Sequence, residues 1–233
     1  MADPTLADGR KALLLRHDVD QHPRSALRTA DIERELGATS TWYFRWRTAH
    51  GPLIAELRRR GHAVGLHYET LTRQVRSRDT VPPVEIPRLI TGARHVLRGE
   101  ILAFEHRYGP IRSVCPHGDS RVPGVSNAEL LRGEDWASYG IEFDAHLAMR
   151  RSGLGFWLTD RSRAEGGWKD GTDPERLLGD GVSPILTLVH PNNWVSGPSL
   201  WRDRVTAALL PTPGHDPGRA PRMMRTGTDT PPV

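Results

Sequence analysis

The chain has 233 residues and a mass of 26.0 kDa, with 37% hydrophobic residues, 26% charged residues and a formal net charge of +4. This size fits one globular domain with a tail, and no apolar run reaches the roughly 18 to 20 residues of a membrane-spanning helix. The first residues also lack the basic and apolar segments of an export signal, so we expect a cytoplasmic protein with no membrane span. A single cysteine, Cys115, excludes intramolecular disulfides and cysteine-rich zinc sites. Any metal must therefore be held by histidines and carboxylates.

The pI near 9.7 raises the question of nucleic-acid binding, because clustered basic residues are the footprint of phosphate-backbone recognition. Only two of the 32 basic residues are lysines, and the arginines are scattered among 28 acidic residues. The one tight run, Arg58-Arg59-Arg60, ends a predicted helix, where cations are favourable in any protein. We therefore expect no nucleic-acid partner.

Short apolar runs alternate with helical patterns along the chain, which predicts β-α units and a largely parallel sheet. The strands are predicted at residues 12–15, 39–44, 62–66, 111–115, 141–143, 155–158 and 184–189. The helices are predicted at residues 24–36, 52–60, 87–108, 174–178 and 199–210, with loop and short helix over 121–136.

The chain composition predicts three segments. Residues 1–10 form an N-terminal segment, residues 11–210 form one domain, and residues 211–233 form a tail. The tail is rich in Pro, Gly, Arg and Thr and has almost no core-forming residues, so we expect it to be disordered.

Residues able to bind metals or transfer protons follow nearly every predicted strand. In chain order they are His17, Asp18 and Asp20 after the first strand, then His67, His117, Asp160 and His190 after later ones. The carboxyl ends of parallel strands meet at one edge, where α/β proteins place their functional residues. A lone histidine at a strand end is more often structural, but five such coincidences favour a functional site.

The spacing of the two aspartates suits two different roles. Asp18 and Asp20 are two residues apart, so in an extended chain both side chains lie on one side while His17 lies on the other. One aspartate can then bind a metal while the other acts as a base. Zinc in a catalytic site takes about three protein ligands and keeps one position open. Asp20, His67 and His117 would supply that set.

These motifs resemble those of the polysaccharide deacetylase or NodB-homology superfamily, carbohydrate esterase family 4, over roughly residues 12–204. The matching segments are His-Asp-Val-Asp at 17–20, the glycine-flanked strand and histidine at 61–67, and the apolar strand closing on a histidine at 185–190. Members of this family are metal-dependent amide hydrolases. The resemblance implies an α/β fold, a distorted (β/α) barrel of NodB-homology type in a single domain.

The resemblance also implies a role for each matching residue. It makes Asp18 the catalytic base, Asp20 and His67 metal ligands, His190 the general acid and Asp160 the residue that orients this acid.

The sequence departs from the family pattern at one metal ligand. The second histidine of the family normally lies four residues after the first, and here that position is Leu71. His117 is the best replacement, and Glu69, two residues after His67 on the same strand face, is the competing ligand. A divergent branch of the superfamily shares the His-Asp-Val-Asp, Gly-Leu-His-Tyr-Glu and His-Pro-x-x-Trp patterns.

Two further assignments stay open at the level of sequence. The arginine that contacts the base in the family has no clean match, and Arg16, Arg121 and Arg161 are all candidates. Trp194, four residues after His190, either stacks on a sugar ring or packs in the fold.

Together these residues predict a hydrolase that removes an N-acyl group, expected to be N-acetyl, from a small N-acylated amino sugar or glycoside. A nucleotide- or lipid-linked amino sugar would fit a cytoplasmic enzyme. The expected cofactor is one divalent ion, zinc, which would activate water for attack on the amide carbonyl.

Two other classes of protein compete with this interpretation. A barrel of the amidohydrolase type would carry His-x-His on its first strand and often a carboxylated lysine, but neither lysine here ends a strand. A deacetylase-like module that only binds carbohydrate or serves in assembly would explain Leu71. Retention of Asp18, Asp20, His67 and His190 together argues against that module, because binding alone needs neither an acid nor a base.

Overall fold

The structure is a computed structural model, and it describes residues 11–119, 121–152, 155–161 and 167–195. The predicted N-terminal segment 1–10, helix 199–210 and tail 211–233 lie outside the described residues. The chain divides into two compact units. The terminal unit contains the described residues of 1–40 and 155–233, and the central unit contains those of 41–154.

Strands and helices alternate along the described part of the chain. The strands are β1 (Leu13–Val19), β2 (Thr41–Phe44), β3 (Ala63–Tyr68), β4 (Ser113–Pro116), β5 (Phe143–Asp144), β6 (Phe156–Thr159) and β7 (Ile185–Val189). The helices are α1 (Arg24–Glu35), α2 (Gly51–Arg59), α3 (Thr70–Gln74), α4 (Ile86–Tyr108), α5 (Ala145–Ser152), α6 (Pro174–Gly179) and α7 (Pro191–Trp194).

In the terminal unit, β7 lies between β1 and β6, and both pairings are parallel. Ile185 of β7 is opposite Leu13 on one side and Phe156 on the other, so the three strands share one register. The carboxyl halves of β1 and β6 are better buried than their amino halves, as Val19 and Leu158 show. The residues that follow these strands are therefore fixed by a packed sheet.

In the central unit, β2, β3, β4 and β5 form a parallel sheet in that order. Gly65 of β3 is required there, because a Cβ atom would lie 2.4 Å from the Ser113 carbonyl oxygen and 2.6 Å from the Tyr43 ring. The same two residues are joined by a 2.7 Å hydrogen bond between the Tyr43 hydroxyl and Ser113 Oγ. Helix α4 buries one apolar stripe, which consists of Ala93, Leu97, Ile101 and Phe104.

The predicted α/β fold with parallel strands is confirmed in both units, as expected for a distorted (β/α) barrel. Strand β1 extends four residues beyond its predicted end. Helices α3, α5 and α7, which have four to eight residues each, were not predicted. No described helix has the length and apolar character needed to cross a membrane.

Candidate active site

The predicted base has an arginine partner on its own strand. Arg16 donates from Nε to Oδ1 of Asp18 at 2.9 Å and from Nη2 to Oδ2 at 2.5 Å. Both residues are buried, and the Arg16 guanidinium also lies 5.6 Å from the ring centroid of Trp157. Arg16 is therefore a candidate arginine that contacts Asp18, whereas Arg121 pairs with Asp119.

The other side of β1 carries a separate buried network. His17 Nε2 lies 2.7 Å from Glu33 Oε1 in α1, and Ser40 Oγ donates to Glu33 Oε2 at 2.8 Å. His17 therefore joins β1 to α1, while Arg16 and Asp18 share the opposite side. This alternation is the one predicted from the extended chain.

Asp160, directly after β6, holds the predicted acid. His190 Nδ1 lies 2.7 Å from Asp160 Oδ1, and the His190 backbone N–H donates to Oδ2 at 2.8 Å. Asn193 Nδ2 and Trp194 Nε1 also donate to Oδ2, each at 3.0 Å. These contacts fix the imidazole plane and direct Nδ1 toward Asp160. His190 Nε2 lies 3.7 Å from Asp20 Oδ2.

The electrostatic surroundings of His190 favour its protonated form. Burial alone lowers the pKa of an imidazole, but the hydrogen bond with Asp160 and its negative charge raise it. The charges of Asp18 and Asp20 act in the same direction, and the net result is a raised pKa for His190. A histidine with a raised pKa is suited to donate a proton.

Trp194 and Arg161 both take part in the hydrogen-bond network around Asp160. The Trp194 indole donates to Asp160, and its ring centroid lies 4.9 Å from that of Trp168. These two contacts hold the Trp194 indole beside Asp160. Arg161 contributes through its backbone, whose carbonyl oxygen accepts a 2.8 Å hydrogen bond from Asn193 Nδ2.

In the central unit, His67 occupies a buried position in β3. Its Nδ1 lies 3.0 Å from the backbone carbonyl oxygen of Cys115 in β4. A carbonyl oxygen can only accept, so Nδ1 carries the proton and the lone pair of the ring is on Nε2. This tautomer is the one that metal-binding histidines adopt when their second nitrogen is held by a carbonyl oxygen.

His117 follows β4 directly and lies next to His67. Its backbone N–H donates to the Tyr68 carbonyl oxygen at 2.9 Å, and the two imidazole centroids are 5.2 Å apart with the rings at 78°. The central unit therefore brings together the two histidines predicted as ligands. Zinc binds imidazole nitrogens and carboxylate oxygens such as those of Asp20. The residue types present therefore fit the implied ion.

Glu69, the competing ligand, is already engaged by an arginine. Arg45 donates from Nε to Glu69 Oε2 at 2.7 Å and from Nη2 to Oε1. Burial raises the pKa of Glu69, but the Arg45 hydrogen bonds and charge, with the nearby His117, produce a net lowering. His117 Nδ1 lies 3.9 Å from Glu69 Oε1. Glu69 is thus placed to support His117 electrostatically.

Asn127 is a positioning residue that the sequence interpretation missed. It is buried, and its Oδ1 accepts the backbone N–H groups of Leu71 and Thr72 at 3.1 Å each. Its Nδ2 donates to the His117 carbonyl oxygen at 2.9 Å and to Thr72 Oγ1 at 3.0 Å. Leu71, at the position of the family's second histidine, is itself buried in the core. One amide thus connects α3 to the His117 loop.

We expect Asn127→Ala to lower the free energy of unfolding by about 1–3 kcal/mol, because it leaves several buried backbone and side-chain groups without a partner. Urea denaturation measures this change. Gln74→Ala removes an exposed amide from α3, the helix that Asn127 contacts, and should change stability by less than about 0.5 kcal/mol. Equal effects of the two substitutions would contradict the role assigned to Asn127.

Comparison with known proteins gives matches only among solved structures. No protein-family model matches the chain, and no curated protein does. The peptidoglycan deacetylase PdaC from Bacillus subtilis is 18% identical, with a TM-score of 0.42 over 82% of this chain and 77% of that one. A family 4 carbohydrate esterase from Streptomyces lividans, in complex with acetate, is 13% identical, with a TM-score of 0.38 over 85% of each chain.

A third similar structure is a wild-type CE4 family pseudoenzyme from Bacillus anthracis. It is 13% identical, with a TM-score of 0.41 over 85% of this chain and 60% of that one. The solved structures similar to this chain therefore include a peptidoglycan deacetylase, a family 4 carbohydrate esterase and a pseudoenzyme of that family.

Proposed function

We propose that the chain is a metal-dependent hydrolase that removes an N-acyl group, expected to be N-acetyl, from a small amino sugar or glycoside in the cytoplasm. The observation that carries this proposal is the paired arrangement in the terminal unit. His190 is held by Asp160 and carries a raised pKa, while the buried Asp18 is held by Arg16. A proton donor and a proton acceptor, each with its own charged partner, are the groups that amide hydrolysis needs.

The proposed ligands of the ion are Asp20, His67 and His117. When bound there, a divalent ion, expected to be zinc, would lower the pKa of a bound water and polarise the amide carbonyl. The hydrogen bond between His67 Nδ1 and the Cys115 carbonyl oxygen supports this assignment, because Nε2 is then the ring nitrogen that can bind the ion.

The remaining roles follow from the chemistry of each side chain. Asp18 accepts a proton from the water that attacks the acyl carbon, and Arg16 keeps the carboxylate oriented. His190 gives its Nε2 proton to the nitrogen of the leaving amine as the C–N bond breaks, and Asp160 stabilises the cationic ring. Backbone N–H groups after His117 are proposed donors to the oxyanion. The products are a carboxylic acid and the free amino sugar.

A deacetylase-like module that binds carbohydrate without hydrolysing it is the second candidate. Its supporting observation is the burial of Leu71 at the position where the family carries a ligand. The two candidates differ in one measurable respect, since only the hydrolase releases acid.

We expect the metal-loaded protein to release acetate or formate from at least one member of a panel of N-acetylated and N-formylated sugars, free and nucleotide-linked. Because His190 is the proposed acid, His190→Ala should reduce that release by ~10²-fold or more while the protein stays folded. Acid release is measured by a coupled assay and sugar binding by calorimetry. If the sugars bind but no acid forms, the binding module replaces the hydrolase.

A further inference from the structure

The short helix α7, directly after His190, folds back onto Asp160. The Asp160 side chain is fully buried, with 0% of its surface exposed, while 26% of the His190 side chain stays exposed. A carboxylate removed from water is costly unless other donors replace the water. Three donors reach its Oδ2, namely the His190 backbone N–H, Asn193 Nδ2 and the Trp194 indole N–H. Residues 190–194 thus occupy Oδ2 and leave Oδ1 for the His190 ring.

Asn193 is itself held in one orientation. Its Nδ2 donates to Asp160 Oδ2 at 3.0 Å and to the Arg161 carbonyl oxygen at 2.8 Å, which uses both amide protons. Its Oδ1 accepts a hydrogen bond from Asn192 Nδ2 at 3.1 Å. Rotation of the amide by half a turn would place Oδ1 against two acceptors, so these contacts admit one orientation. Asn193 therefore provides a fixed donor for the carboxylate.

The Trp194 indole is the second side-chain donor, and its ring is also held in place. Its centroid lies 4.9 Å from that of Trp168, with the two rings at 47°. Trp168 forms an antiparallel bridge with Asp160, and the Arg161 N–H donates to the Gly167 carbonyl oxygen at 2.9 Å. The backbone beside Asp160 thus also holds the ring that packs against Trp194.

We infer that Asn193 and Trp194 are positioning residues for the acid step, and that their bonds to Oδ2 hold the Asp160–His190 pair in its reactive arrangement before substrate or ion binds. This inference rests on the proposed function and deepens it. Neither residue needs to touch the reacting atoms, because each acts through Asp160. The residues that contact this carboxylate here belong to 190–194, and none of them is a proposed metal ligand. We therefore expect the pair to persist in the metal-free protein.

Proton NMR of the metal-free full chain tests the pair without any turnover. An imidazole N–H that donates to a carboxylate at 2.7 Å forms a strong, charge-assisted bond, and its proton resonates far downfield of ordinary imidazole protons. Loss of that resonance in His190→Gln identifies it as the Nδ1 proton of His190. Trp194→Phe keeps an aromatic ring against Trp168 but removes the N–H donor, and Asn193→Ala removes the amide. We expect the resonance in the native protein, and each of these two substitutions to move it upfield or broaden it beyond detection.

Trp136→Phe is the matched control. The Trp136 indole also donates a hydrogen bond, to the Leu131 carbonyl oxygen at 3.3 Å, but it lies in the central unit. This substitution should leave the His190 resonance unchanged. If Asn193→Ala does not fold, Trp194→Phe alone decides. An unchanged resonance in the folded variants, or an equal change in Trp136→Phe, would overturn the inference.

Kinetics separate positioning from sugar binding. Because both residues are assigned to proton donation, Trp194→Phe and Asn193→Ala should each lower kcat at least ~10-fold with KM nearly unchanged. A raised KM with native kcat would show that they bind the sugar instead, and would overturn the positioning role. If the substitutions alter the resonance but the native protein hydrolyses no sugar, the proposed function fails and the placement of the pair stands. Hydrolysis with native kcat in both variants would refute only the positioning role.

Discussion

Replacement of Asp18 by asparagine is expected to reduce the rate of amide hydrolysis by ~10²-fold or more while the protein still binds its metal. The amide has the same shape as the carboxylate but cannot accept a proton, which is the contribution assigned to this residue. Acid release gives the rate, and elemental analysis of the purified variant gives the metal content. A variant with near wild-type activity would show that Asp18 is not the base.

The buried partner of Asp18 makes a stability control necessary. Asp18→Asn removes the carboxylate that is paired with the buried Arg16 guanidinium, and breaking a buried ion pair typically costs about 3–5 kcal/mol. The double substitution Arg16→Gln with Asp18→Asn removes both charges and should recover part of that loss in urea denaturation. Both variants are expected to be inactive. Recovery of activity in the stabilised double variant would attribute the defect to folding rather than to proton transfer.

The alternation along β1 shows what sequence could predict at this site. Period-two geometry correctly put His17 on the side opposite Asp18, where it contacts Glu33. The same period-two argument favours Arg16 as the arginine that contacts Asp18, because the two residues are also two positions apart in an extended strand. Local spacing was therefore enough for contacts within one strand. The α/β fold was equally accessible, because apolar strands alternate with helices along the chain.

Contacts between distant segments were not accessible in this way. Asn127 begins a short 3-10 helix, 10 residues after His117 and 55 residues after Thr72, and no periodic pattern marks it. The indole N–H of Trp194 donates to Asp160, which lies 34 residues earlier in the chain, and the spacing of the sequence does not reveal this contact. Burial of polar groups requires such partners, but which residue supplies them depends on how the loops pack.

Loss of metal is the expected result of replacing His117 by alanine. With three proposed protein ligands, removal of one imidazole should weaken zinc binding by at least ~10²-fold and abolish stoichiometric metal in the purified protein. His67→Ala should behave in the same way. Zinc titration and elemental analysis measure both effects, and thermal denaturation checks that the variants remain folded.

Glu69→Gln is the matched comparison, because it alters the other candidate for the missing family histidine. Both Glu69 oxygens contact Arg45, so its substitution should disturb that ion pair more than it disturbs the metal. We expect this variant to keep close to one equivalent of zinc, with a fall in zinc affinity no larger than the ~10–100-fold typical of residues that support a ligand. Full metal in His117→Ala together with loss of metal in Glu69→Gln would reverse the assignment. Glu69 would then be the third ligand, and His117 would be a neighbour that tunes its charge.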